Sequence, residues 1–389
     1  MELNIFYDIA IIFGVAIVVI LAFNFFKIPH LVGYLLTGII LSPNSTNILR
    51  QTDEVETFAE IGVILLLFTI GLEFSFSNLN KIKRYITIGG GLQVILTIAL
   101  TTILIAIMGR SFPESVFWGF VVALSSSAIV IKMMQDKNEI TTSYGKVSLA
   151  ILLFQDIVVV PLMLFTPILA GNNEGNFFLE IAYLIGKIAL LVVISFVLAK
   201  YIIPKFFYQV MRIRNQEVFL IATIFFVIVI TLFTYHIGLS LALGAFVAGL
   251  IISETDYNRM AISCILPFRY VFISFFFISM GMLLDYQVFM TQYFLVGFWF
   301  IFILIVKILV TTYSARILKL SKRDALCVGL SLAQVGEFSF ILALTGLNNG
   351  LISDINYQIF LSVSILTMAL TPFLLDNKLK MVTKIFPND

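Results

Sequence analysis

Charge is scarce in this 389-residue sequence. Asp, Glu, Lys and Arg make up 12% of it, against about 25% in ordinary soluble domains. A formal net charge of +2 offers no broad basic surface. No hydrophilic block is long enough to fold as a nucleic-acid-binding or soluble catalytic domain, so those classes are excluded, and the protein is not expected to be an enzyme. Cysteine is nearly absent as well: Cys264 and Cys327 stand singly, which indicates neither a disulfide framework nor a thiolate metal site. The two histidines, His30 and His236, have no neighbouring ligand residues. The first apolar stretch, about Ile5 to Phe26, follows acidic residues (Glu2, Asp8) and has no small-residue cleavage site, so it reads as a retained span rather than a signal peptide.

What the sequence has in excess is apolar length. Hydrophobic residues account for 60% of it, and the mean hydropathy is +1.07. Apolar runs of about 20 residues recur from end to end, each long enough to cross a hydrocarbon core about 30 Å thick. The expected fold is therefore an all-α polytopic membrane protein in the lipid bilayer. About thirteen spans are read, at 5–26, 28–43, 54–76, 86–109, 114–134, 144–169, 177–201, 217–235, 238–253, 262–284, 289–318, 325–347 and 354–375. With that count, 20 of the 24 basic residues fall on one face, Arg50 and Arg110 on the other, and Lys187 and Lys307 inside spans. The positive-inside rule then puts the N-terminus outside and the C-terminus in the cytoplasm, and dropping either short span would scramble the asymmetry.

An internal repeat runs through the spans. Gly33, Gly38 and Ser42, in GYLLTGIILS, return 211 residues later as Gly244, Gly249 and Ser253 in GAFVAGLIIS. Gly71 returns as Gly281, Gly119 as Gly329 and Ala123 as Ala333 at a shift of 210, and Pro161 as Pro372 at 211. The expected organisation is a six-helix repeat over 1–176, a linker helix and cytoplasmic loop over 177–214, a second repeat over 215–376 and a cytoplasmic tail over 377–389. An offset of seven spans, an odd number, inverts the second repeat, an architecture of secondary transporters that bind substrate near the midplane.

Ionisable residues inside spans cost roughly 2.5–3.5 kcal/mol each on insertion scales, so each is a functional candidate. Asp156 lies mid-span in LLFQDIVVVPL and is the leading site; Lys307 interrupts IFILIVKILV and is its natural charge partner; Glu337 lies in AQVGEFSF. The alternative for the Asp156–Lys307 pair is a buried structural bridge. Polar breaks surround these charges. Ser125, Ser126 and Ser127 interrupt the fifth span, and the repeat maps Ser126 onto Gly336 and Ser127 onto Glu337, within the second break at Gln334, Val335, Gly336 and Glu337. Unwound backbone at that depth is tolerated only inside protein or beside a cavity. Glu337 either binds an ion or, as favoured here, neutralises the positive end of a half-helix. Lys187 reads as snorkelling, and Glu73 and Asp285, near span ends, as structural or gating residues.

The strings AEIGVILLLFTIGLEFS, ALSSSAIVIKMMQD, ILLFQDIVVVPL, LSLALGAFVAGLIIS, FFFISMGMLLD and AQVGEFSF resemble the Kef-type potassium efflux proteins of the second monovalent cation:proton antiporter family, over essentially all thirteen spans. The resemblance implies two inverted six-helix repeats whose fifth and twelfth spans cross as broken helices beside Asp156 and Lys307, and a homodimer. Gln155 before Asp156, where sodium-specific relatives often carry a second aspartate, resembles the Kef pattern and favours potassium over sodium. Kef proteins usually continue into a nucleotide-binding regulator. No GxGxxG follows the last span here, so any such regulator is expected to be a domain or subunit outside this chain.

The expected function is exchange of K+ or Na+ for H+, with Asp156 binding either the cation or the proton, so that competition at one carboxylate drives exchange. Gln155, Ser126 and carbonyls near Ser125 and Val335 would replace part of the cation's water shell. With one titrating carboxylate the exchange is expected to be electroneutral. No cofactor is expected beyond the transported ions, and the location is expected to be a bacterial inner membrane. The rival is a ligand-gated K+ efflux channel; against it, no TVGYG-type filter occurs.

Overall fold

The computed structural model describes residues 2–25, 28, 30–42, 53–73, 83–171, 186, 190–191, 193–195, 197–237, 239 and 241–386. Among them every regular element is a helix. Among the described residues nine helices are long and apolar enough to cross a membrane, and four shorter apolar ones lie at His30–Leu41, Thr57–Leu72, Leu243–Ser253 and Glu337–Asn348. Most of the expected seventh span, Lys187 included, lies outside the described residues. Beyond 201 the chain remains helical to Arg212, where a loop was expected.

The chain divides into two compact units. One comprises 1–50, 81–172 and 280–389, and the other 51–80 and 173–279. In the second, α3 (Asp53–Glu73), α8 (Ile203–Arg212), α9 (Gln216–His236), α10 (Leu241–Ser253) and most of α11 (Asn258–Met282) come together. Helix α8 persists because it is amphipathic: Phe207 is buried, stacks on Tyr257 and packs at a tilt against Phe219, while Lys205, Tyr208 and Arg212 face outward. Helices α3 and α10 touch backbone to backbone at Gly71 and Gly249. A Cβ at Gly71 would lie 2.2 Å from the carbonyl oxygen of Phe246, so only glycine permits the approach.

The first unit holds α1 (Glu2–Phe25), α2 (His30–Leu41), α4 (Tyr85–Ile107, opening with a π-helical turn), α5 (Phe112–Ala123), α6 (Ser127–Asp136) and α7 (Ser143–Ala170). It also holds α12 (Tyr286–Thr291), α13 (Tyr293–Ile317), α14 (Lys322–Ser331), α15 (Glu337–Asn348) and α16 (Asp354–Ile385). Polar caps set the boundaries. Ser111 caps α5 with proline in its first turn, Thr142 caps α7, Ser321 caps α14 and Ser353 caps α16. Asp285 caps α12 by accepting from the Gln287 N–H at 2.8 Å, while its own N–H is held by Gln358. A close glycine contact occurs here too: Gly281 lies against Leu35 and Gly38. Its two partners are those of the Gly71–Gly249 contact shifted by 210 and 211 residues.

Helix α16 continues to Ile385, through the stretch expected as a tail. Leu375, Lys378 and Val382 form its buried stripe, at helical spacing. The ammonium of Lys378 pairs with Glu139, in the turn between α6 and α7, and sits 5.2 Å over the Tyr144 ring. Lys137 reinforces the tie through Asp376 at 2.6 Å and the Leu375 carbonyl at 3.2 Å. Removing one member of a buried pair costs about 3–5 kcal/mol because the other charge is stranded; Glu139 retains 13% side-chain exposure, which places this pair at the low end. Lys378→Ala is expected to lower the thermal unfolding midpoint in detergent, and Lys378→Met with Glu139→Gln to recover most of the loss. An unchanged midpoint in the single variant would show that the strap carries no stability.

Candidate ion-handling site at the helix interruptions

Within the first unit two helices are interrupted. Between α5 and α6 the backbone leaves the helix at Leu124 (ψ 138°) and Ser126 (ψ 106°). Between α14 and α15 it runs irregularly from Leu332 to Gly336, which is extended at φ −95°, ψ 173°. The interruptions meet. The Gly336 N–H donates to the Leu124 carbonyl at 3.1 Å, and the Ser125 hydroxyl to the Leu332 carbonyl at 3.0 Å. A Cβ at Gly336 would lie 2.5 Å from the Ser125 carbonyl, so the crossing needs glycine at that position.

Interrupting a helix frees its last carbonyls and first N–H groups, and at the first interruption both exposed ends are met by side chains from elsewhere in the sequence. Fully buried Lys307, on α13, donates to the carbonyls of Val122 (2.9 Å), Ala123 (3.4 Å) and Leu124 (2.9 Å). An ammonium has three donors, so these carbonyls occupy all of them, and the cation sits at the negative end of α5. At the start of α6, Ser126 accepts from the Ile129 N–H, and one Glu337 oxygen accepts from the Ala128 N–H and the Ser127 hydroxyl, both at 3.4 Å. The other oxygen of Glu337, and both ends of the Gln334 amide, have no hydrogen-bond partner among the described residues, although both side chains are buried. The Val335 N–H reaches the Thr367 hydroxyl at 3.3 Å.

Gln155 ties α7 to the first interruption. Its oxygen accepts from the Ser125 N–H at 2.7 Å and its NH2 donates to Gln93 Oε1 at 2.7 Å; Gln93 in turn donates to Thr97 and to the Ala123 carbonyl. Asp156 follows Gln155 on α7 and is 7% exposed. The structure thus joins Gln155, Ser125, Lys307 and the Gln334–Glu337 segment through one set of backbone groups. Gln93 and Thr97 escaped the sequence reading, which searched spans for ionisable groups. Their signal is there in a neutral amide four residues before a threonine in GLQVILTIAL, on one face of α4. No three His, Cys, Asp or Glu side chains converge into a metal cluster among the described residues.

Apolar helices interrupted inside the bundle, with buried charges at the broken ends, define an integral membrane protein of the transporter type. The sodium/hydrogen exchanger transmembrane family matches residues 11–376, and the chain belongs to that family. It is 33% identical over 361 residues to the chloroplastic K(+) efflux antiporter 1 of Arabidopsis thaliana, covering 90% of this chain and 30% of that protein. K(+) efflux antiporter 6 of the same plant is 33% identical over 351 residues, covering 88% and 58%; K(+) efflux antiporter 5 is 30% identical over 379 residues, covering 96% and 66%. The chain therefore spans from under a third to about two thirds of these relatives. The fold matches the sodium proton antiporter of Methanocaldococcus jannaschii with a TM-score of 0.72 at 17% identity, covering 98% of this chain and all of that one.

Gln155→Leu removes the acceptor of the Ser125 N–H. A buried group left unsatisfied costs about 1–3 kcal/mol. Hydrogen exchange measured by mass spectrometry is expected to rise in peptides containing Ser125 while peptides from α16 stay unchanged. Unaltered exchange at Ser125 would remove Gln155 from the network.

Proposed function

We propose that this chain exchanges a monovalent cation for H+ across the membrane, K+ in preference to Na+, with Asp156 as the shared carrier. One observation carries the proposal: the hydrogen bond from the Ser125 backbone N–H to the Gln155 side-chain oxygen holds the turn of α7 that bears Asp156 against unwound chain. Oxygen groups suit a hard cation. Ser126 and the unwound carbonyls near Ser125 and Val335 replace part of its water shell, and Gln155 keeps one lone pair beyond that bonded to Ser125. The Gln334 amide adds polar capacity at the second interruption. A cation and a proton compete for one carboxylate, so each leaves when the other binds, and alternation between the two faces makes competition into exchange.

Lys307 is the charge partner in this mechanism, but its three carbonyl bonds change the expected role. A direct bond to Asp156 takes one donor away from the end of α5. Pairing of the charges is thereby linked to the shape of the break, which couples the state of the site to the backbone around it. Glu337 serves the half-helix end and not the carrier.

The inverted repeat, 1–176 against 215–376, is supported by two pairs of contacts at the repeat shift. Gly71–Gly249 corresponds to Gly281–Gly38, and Gly119 against the Ile98 carbonyl to Gly329 against the Ile308 carbonyl. We place thirteen spans in a bacterial inner membrane with the N-terminus outside and the C-terminus in the cytoplasm, in a homodimer.

Asp156→Asn keeps the volume of the side chain but cannot alternate between charged and protonated forms. In proteoliposomes it is expected to abolish cation-driven proton movement while the unfolding midpoint stays near wild type; normal flux in this variant would sink the shared-site mechanism. One carboxylate also implies one cation for one proton. A potential acts on net charge moved, at roughly 2.3 kcal/mol per charge per 100 mV, so the reversal point of proton flux is expected to be the same at zero and at about 100 mV. A reversal point that moves with potential would require a second titrating group in the cycle.

A further inference from the structure

A groove in the first unit is lined by residues that take no part in the exchange site, except that the carbonyl of Val122 accepts from Lys307. Its walls are Trp118 and Val122 of α5, Trp299 and Ile303 of α13 and Phe360 of α16. Its rim is polar: Arg110, Glu114 and Asn356. On α5 the positions 114, 118 and 122 repeat every four residues, so one face of that helix runs from a charged residue to apolar ones over about 12 Å.

The rim carboxylate is loosely held. Glu114 Oε1 receives Arg110, the Trp118 indole N–H and the Asn356 amide, each at 3.5 Å, well beyond the roughly 2.7–2.9 Å of a charge-assisted bond. Arg110 is 52% exposed and Glu114 14%, and an ion pair of that exposure contributes little by itself. Both partners can therefore turn to a ligand that offers better geometry. Opposite charges side by side above a sleeve of aromatic and aliphatic groups match a molecule with an anion, a cation and a hydrocarbon chain in that arrangement. In a membrane that molecule is a zwitterionic phospholipid.

We propose that this groove binds one phospholipid whose headgroup carries a phosphate and a primary ammonium, the phosphate on Arg110, the ammonium on Glu114, and an acyl chain along Trp118, Trp299 and Phe360. The ammonium N–H donors set the selectivity. A choline headgroup has none for Glu114, and an anionic glycerol headgroup brings a phosphate to the rim with no cation for the carboxylate.

The test is built into the composition, because the two tryptophans of the chain both line the groove. Full-length protein in detergent is titrated with phosphatidylethanolamine, phosphatidylcholine or phosphatidylglycerol carrying brominated acyl chains, which quench indole fluorescence on contact. The expected result is saturable quenching near one ethanolamine lipid per chain, at about fivefold lower lipid than the other two, with that preference lost in Glu114→Gln and in Arg110→Gln. The ethanolamine lipid is also expected to raise the unfolding midpoint of the wild type and not of Glu114→Gln. Non-saturating quenching equal for all three lipids and unchanged in both variants would mean adventitious boundary lipid only and overturn the proposal, as would a preference for the glycerol lipid. Neither readout depends on transport, so the exchange mechanism can fail while this site stands, and the reverse.

Discussion

A backbone that leaves the helix inside a bilayer must find its hydrogen bonds within the protein, because hydrocarbon supplies none. The first unit of this chain is organised around that demand. Leaving even one buried backbone group unsatisfied costs about 1–3 kcal/mol, a sizeable share of a typical domain's total stability. The chain meets the demand with residues remote in sequence: Lys307 on the end of α5, Glu337 on the start of α6, Gln155 on the Ser125 N–H and Thr367 on the Val335 N–H. The two interruptions also satisfy each other, Gly336 to Leu124 and Ser125 to Leu332.

Placing a cation at the C-terminal end of one half-helix and an anion at the N-terminal end of the next uses the same dipole logic twice. It accounts for the burial of Lys307 and Glu337 without asking either to carry an ion. In the proposed mechanism the transport role centres on Asp156, whose neighbour Gln155 bonds to the unwound chain at Ser125. Under that proposal, a step that draws Lys307 toward Asp156 loosens the carbonyl end of α5, to which Lys307 is bonded.

Much of this was legible in the residues. Asp156, Lys307 and Glu337 stood out because a charge in an apolar run is costly, and the interruptions because Ser125–Ser127 and Gln334–Glu337 break otherwise continuous hydrophobic stretches. The partners of Lys307 were not legible: the natural expectation was another charge, and backbone carbonyls leave no mark in a sequence. Gln93 was missed because a neutral amide perturbs hydropathy far less than a charge does. The helical end of α16 was obscured by Lys378, Lys380 and Lys384, which read as a solvated tail; the stripe of Leu375, Lys378 and Val382 shows that one of those lysines points inward to Glu139. Packing between the spans, including the paired glycine contacts, was visible only as glycines recurring at a constant shift.

The central claim is competition between a cation and a proton for one carboxylate, and the most direct measurement of it is proton release on cation binding. Purified protein in detergent and very weak buffer is mixed with K+ while the pH of the solution is followed. The account predicts that K+ displaces protons, up to about one per chain, from wild-type protein at pH values where the site is protonated, and none from Asp156→Asn. Binding of K+ with no proton released, or undiminished release from Asp156→Asn, would contradict it.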